Sequence, residues 1–196
     1  MVKSTDHHAY LEVITGAMFS GKTRELHRQY SVFKSCQFNV QVFKRDIDDR
    51  YGKDEIKTHD GLIFDGKDVF ISKDVNEIEK KIKKDTDVLM VDEAQFYGSE
   101  IVEKADKWIN NGKIVVLTLL PTDYRGMTFG PAGDLLAKAD KITQVFARCL
   151  HYENGVYCHK PATRTFRTKS DIKEVVVIGG SEMYEPRCRQ HHFFNK

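Results

Sequence analysis

Gly16-Ala17-Met18-Phe19-Ser20-Gly21-Lys22-Thr23 satisfies G-x-x-x-x-G-K-[ST], and this stretch restricts the fold more than anything else in the chain. The pattern has chemical meaning only between a strand and a helix. There, backbone N–H groups curled by the glycines surround phosphate oxygens at a helix N-terminus, where partial positive charge favours an anion. The context fits. Ala9–Thr15 carries Leu11, Val13 and Ile14 and reads as a buried strand. From Lys22 to Lys34 the residues Leu26, Tyr30 and Phe33 recur at helical spacing, with no proline to interrupt them. Lys22 supplies a point charge for β- and γ-phosphates and is expected to pack little; the Thr23 hydroxyl suits a magnesium shell. A chance glycine turn is the competing reading, but the strand–loop–helix setting favours an ATP or GTP phosphate site.

Further along, Asn39–Phe43 reads as a second strand. Residues 45–66 are polar and glycine-punctuated without clear periodicity, the mark of a functional or disordered loop, and partial mobility is expected there. Asp74–Lys84 places Ile78 and Ile82 four apart among charges, a solvent-facing helix. Asp87–Val91 is a third strand. Ile101, Val102, Ala105, Trp108 and Ile109 describe another amphipathic helix, stopped by Asn111 and Gly112, and Lys113–Leu119 is a fourth strand. Strands alternating with helices imply right-handed crossovers and a mostly parallel sheet covered on both faces. Beyond Ala147 short β-prone pieces and a Cys/His cluster replace helices. The expected division is an α/β domain over 1–143 and a small module over 144–196.

At 196 residues, one core and one small module are the natural expectation, and a net charge of +2 gives no concentrated basic stripe for nucleic acid. No apolar run is long enough to span a bilayer, and the polar opening lacks a secretory h-region, so a cytoplasmic protein is expected. Cys36 stands alone, while Cys149, Cys158 and Cys188 fall near histidines, which favours metal ligation over disulfides.

The strand Val88–Val91 ends in Asp92 and Glu93. The first position is where such a protein needs an acid to hold Mg²⁺ through water. Successive strand residues point to opposite faces, so the two acids can do different jobs if the chain turns there. One would bind metal and the other accept a proton from an attacking hydroxyl. Both could instead cap the following helix.

The ordered blocks GAMFSGKT, FKRDIDDRY, DEAQFY, DYRGMTFGP, VVVIGGSEMY and CRQHH resemble the type II thymidine kinases from Leu11 to His192. The resemblance implies a P-loop NTPase sheet flanked by helices and a zinc-binding lasso domain closing over the nucleoside. It also implies Mg²⁺-ATP as donor to the 5′-hydroxyl of thymidine or deoxyuridine, feedback by dTTP and a homotetramer. Carried over by residue, Gly16, Met18, Phe19, Ser20, Gly21, Lys22 and Thr23 match the phosphate loop, with Met18 toward the nucleoside and Ala17 in place of a usual proline. Asp48 and Arg50 match an acid and an arginine near the donor phosphates, and Arg45 replaces a common proline. Asp92 resembles the magnesium acid, Glu93 the general base and Phe96 a pocket wall, and Gln95 falls with the phosphate-side group. Leu120 and Tyr124 resemble pocket residues, and Phe129 the aromatic stacked on the base, with core packing as its alternative. Val175, Val177 and Gly179 match backbone that grips the pyrimidine edge, and Tyr184 matches the end of that lasso.

Two departures stand out. Leu119 and Pro121 replace the family's glycine and aspartate, which leaves open an altered base preference, or a nucleotide-binding regulator or zinc-ribbon interaction module without turnover. The metal site departs from the family's close cysteine pairs: here the first pair is Cys149 and Cys158 and the second is Cys188 with His191, a set suited to structural Zn²⁺. His151, His159 and His192 are rivals for a ligand place.

Overall fold

The computed structural model describes residues 8–45, 64–168 and 181–193. Six strands, β1 (Leu11–Thr15), β2 (Val40–Arg45), β3 (Val69–Ser72), β4 (Val88–Val91), β5 (Ile114–Leu119) and β6 (Lys141–Gln144), form one sheet. Its order is β3-β2-β4-β5-β1-β6, and every pairing is parallel. Parallel neighbours need crossovers, and the helices α1 (Lys22–Ser35), α2 (Val75–Lys81), α3 (Glu100–Asn110) and α4 (Ala132–Lys138) lie in these connections.

The central strands β4 and β5 read as largely apolar runs because both faces of the sheet are buried there. Alternation then divides them. Leu89, Val91, Val115, Leu117 and Leu119 face a core with Ile78, Ile101, Ala105, Trp108 and Leu135 from α2, α3 and α4. Val88, Met90, Ile114 and Val116 face Leu26 and Tyr30 of α1, together with Phe64. α3 stops where the sequence predicts, with Asn111 at its C-cap and Gly112 in the left-handed region at φ 78°. α2 ends at Lys81 and is shorter than expected. It starts at Asp74, whose carboxylate accepts the Glu77 N–H at 2.8 Å, and Glu77 returns a carboxylate to the Lys73 N–H at 3.0 Å.

β3, α4 and β6 are elements that sequence reasoning did not find. β3 is a four-residue edge strand beside β2. β6 is mostly exposed, yet extends the main sheet along β1 as far as Gln144. Its attachment comes from buried Glu12 of β1, which accepts hydrogen bonds from Lys141 at 3.0 Å, Thr143 at 2.6 Å and Gln29 of α1 at 2.7 Å.

After β6 come three short antiparallel pairs: β7 (Ala147–Arg148) with β10 (Pro161–Ala162), β8 (Tyr152–Glu153) with β9 (Val156–Tyr157), and β11 (Arg164–Arg167) with β12 (Tyr184–Arg187). Such small sheets have little apolar core of their own. Theirs consists of Ala147, Cys149, Ala162 and Cys188, with Cys158 packed against it.

Candidate active site and metal centre

The carboxyl ends of the parallel strands meet along one edge, where open sheets of this kind receive ligands. β1 runs out into Gly16, where an added Cβ would lie 2.3 Å from the Val145 carbonyl oxygen; the chain leaving β6 therefore excludes any side chain. Gly21, at φ 88°, occupies the left-handed region and turns the loop into α1. Phe19 is exposed at positive φ, and the Ser20 hydroxyl is buried without a protein hydrogen-bond partner. An orphaned buried donor in such a loop suits one that completes its hydrogen bonds on a ligand.

Lys22 is only 6% exposed, and its ammonium donates to the Ala17 carbonyl at 3.1 Å. The expectation that it packs little is therefore corrected: the stem folds back along the loop and is sealed there. Burial lowers the Lys22 pKa, and the charges of Glu93 and Asp92 oppose that shift.

β4 delivers the acid pair. Asp92 is 7% exposed and accepts the Thr118 hydroxyl of neighbouring β5 at 2.5 Å. Its other oxygen faces the Thr23 hydroxyl at 3.5 Å and the Lys44 ammonium at 3.9 Å. The chain then turns sharply, because Glu93 adopts φ 57° and ψ 47° and donates its N–H to Thr118 Oγ1 at 3.0 Å. A non-glycine residue held there costs on the order of 1–3 kcal/mol, a strain that concentrates at functional sites. The turn gives neighbouring carboxylates different partners. The Glu93 carboxylate takes the Gln95 amide, whose own oxygen accepts the Leu120 N–H at 3.1 Å. Burial raises the Glu93 pKa; Lys22 pulls it down and Asp92 pushes it up.

Phe96 lies three residues beyond Glu93, and its ring meets Phe129 edge-on with centroids 5.3 Å apart. The segment carrying Phe129 folds about buried Asp123, which accepts the backbone N–H groups of Arg125 and Met127 and the Arg125 guanidinium. Leu119 is fully buried against the helices of the main core, whereas Leu120 begins the turn toward this segment. From the C-terminal module, the Thr165 hydroxyl accepts the Met18 N–H at 3.0 Å and ties β11 to the phosphate loop. Tyr124 and Tyr184 both lie against Arg167. Asp48, Arg50, Val175, Val177 and Gly179 fall outside the described residues, as do residues 46–63 of the loop expected to be mobile over 45–66; of its ends, Arg45 closes β2 and Phe64 is buried.

Sequence reasoning missed Thr118, Lys44 and Thr165. Only Thr118 left a signal, as the lone polar residue in the buried strand IVVLTL.

The metal-ligating groups also converge. One ligand atom each from Cys149, Cys158, Cys188 and His191 lies within 4.8 Å of the others. Cys188 Sγ is 3.5 Å from His191 Nδ1 and 3.9 Å from Cys158 Sγ. A tetrahedral zinc ion with bonds of about 2.3 Å sets its sulfurs about 3.8 Å apart, so the set is consistent with zinc. Rival histidines are engaged elsewhere: His151 with the Arg187 guanidinium and His192 with the Tyr124 carbonyl, while His159 is exposed on a left-handed turn. Three segments with almost no core of their own meet at this cluster. Cys188→Ser is accordingly expected to remove most bound zinc and to destabilise the module, while His159→Ala keeps the metal. Metal analysis of the purified variants checks this, and full zinc content in Cys188→Ser contradicts it.

The fold thus joins a phosphate loop, a strand-end acid pair, an aromatic segment and a Cys₃His cluster in one chain. A family model described as thymidine kinase matches residues 9–192. On that match, which spans nearly the whole sequence, the chain belongs to the thymidine kinase family, the enzymes that phosphorylate thymidine with ATP.

Proposed function

We propose that the γ-phosphoryl group of Mg²⁺-ATP passes to the 5′-hydroxyl of thymidine, and of deoxyuridine, at a centre formed by Lys22, Thr23, Asp92 and Glu93. The observation that supports this most is the split of the acid pair: Asp92 faces Thr23 and Lys44, and Glu93 is joined through Gln95 to the Leu120 segment. In this reading residues 1–143 bind ATP and the module over 144–196 closes over the nucleoside.

The phosphate loop from Gly16 to Thr23, with Phe19 and Ser20 at its crest, surrounds the donor phosphates, and Lys22 meets the developing negative charge. Thr23 and Asp92 would hold magnesium, which when bound would offset negative charge on the donor phosphates. Asp48 and Arg50 assist near the donor phosphates, and Gln95 holds Glu93 in place. Glu93 accepts the 5′-hydroxyl proton, a role helped by burial, which makes its carboxylate more basic. Met18, Phe96, Leu120, Tyr124, Phe129 and Tyr184 enclose the nucleoside, with backbone of Val175, Val177 and Gly179 on the pyrimidine edge. A base stacked on an aromatic ring gains on the order of 1–3 kcal/mol. Zinc is structural, the enzyme is a cytoplasmic homotetramer, and dTTP inhibits it by occupying the same centre.

Leu119 is buried in the main core, so the residue that replaces the family's glycine has a packing role, and pyrimidine selectivity of the usual kind is expected. A panel of the four natural deoxynucleosides and deoxyuridine with γ-labelled ATP tests this. Thymidine and deoxyuridine are expected to accept label; a preference for deoxycytidine or a purine would replace the assigned substrate.

A further inference from the structure

Arg167, the last residue of β11, is 6% exposed although its charge is permanent. Its guanidinium carbon lies 3.7 Å from the centroid of the Tyr124 ring and 5.5 Å from that of Tyr184. Nη2 also donates to the Tyr184 hydroxyl at 3.2 Å. Tyr184 is the cross-strand partner of Arg167, whereas Tyr124 comes from the segment after β5, forty-odd residues earlier. One buried side chain therefore grips aromatic residues from two separate parts of the fold. A second hold acts on the same segment, where His192 Nε2 donates to the Tyr124 carbonyl at 2.8 Å and fixes its backbone.

We propose that Arg167 is a positioning residue for the nucleoside, setting Tyr124 and Tyr184 as a pair before substrate arrives. The proposal rests on the reading that these two tyrosines line the nucleoside pocket. A guanidinium is flat and weakly hydrated, so it stacks on one ring while its in-plane N–H groups donate to another group. Lysine cannot do both. Because arginine only donates, the Tyr184 hydroxyl accepts from it and turns its own hydrogen away from Arg167. Removing the guanidinium returns rotamer freedom to both rings, and thymidine must then supply the ordering on binding.

The test compares Arg167→Lys and Arg167→Met with Tyr124→Ala, measuring kcat, the KM for thymidine and for ATP, zinc content and the thermal midpoint. Both Arg167 variants are expected to raise the thymidine KM about fivefold to twentyfold, the equivalent of a lost stacked cation. The ATP KM is expected to stay within about twofold and zinc content to hold, which separates positioning from general damage. An unchanged thymidine KM in the Arg167 variants, with a raised one in Tyr124→Ala, overturns the positioning role and leaves the pocket reading standing. An unchanged KM in Tyr124→Ala overturns the pocket reading itself. If Arg167→Met does not fold, Arg167→Lys decides; equal rises in both KM values with zinc loss in that variant overturn the proposal.

Discussion

Glu93→Gln is expected to lower kcat by about 10²–10⁴ while leaving ATP affinity little changed. A primary hydroxyl has a pKa far above neutrality, so a positioned carboxylate that takes its proton during transfer contributes most when it is buried and basic. Glu93 is half-buried, desolvation raises its pKa, and the left-handed turn after β4 separates it from Asp92. Glutamine keeps the size and reach of the side chain, so the contact with Gln95 can persist and the fold is spared. Asp92→Asn is the control with a different signature. It weakens the group that faces Thr23, so magnesium dependence and turnover shift together. Steady-state kinetics and nucleotide binding on both variants separate these effects. Wild-type turnover in Glu93→Gln would remove the general base.

Lys22→Ala is expected to lower kcat/KM by about 10²–10³ or more, the loss seen when a preorganised charge is taken from developing negative charge. Its burial changes the design of the experiment. Truncation removes the hydrogen bond to Ala17 with the ammonium and leaves a void in the phosphate loop, so local packing is lost as well as the charge. Lys22→Met fills the same space without the ammonium and isolates the electrostatic part. Both variants should keep the helical and strand signal in circular dichroism. Near-normal activity in Lys22→Met, with a normal spectrum, contradicts the phosphate-loop assignment.

The central elements were legible because the sheet is buried on both faces. β1, β4 and β5 therefore read as mostly apolar runs, interrupted only by Glu12 and Thr15 in β1 and Thr118 in β5, and bounded by glycine, acids or prolines. The edge strands had no such signal. β3 is four residues long, and β6 reads Lys-Ile-Thr-Gln with mostly exposed side chains, held by long-range bonds to Glu12 rather than by an apolar pattern. α4 is seven residues long with too few apolar positions to show a period. At the site, the phosphate loop and acids were visible as motifs. The way Thr118 serves both acids was not, because it depends on the pairing of β4 with β5. The pairing of Cys188 with His191 was readable in CRQHH and the cluster bears it out, but setting the rival histidines aside required the fold, since only tertiary contacts reveal where His151 and His192 are engaged.

The central claim is that one centre moves phosphate from ATP to the nucleoside 5′-oxygen, and incubation of γ-labelled Mg²⁺-ATP with thymidine as sole acceptor addresses it most directly. The expected result is label on the 5′-oxygen of thymidine monophosphate, with ADP formed in equal amount and transfer largely abolished in Glu93→Gln. Release of labelled inorganic phosphate without labelled nucleotide, or no ATP consumption at all, would contradict it.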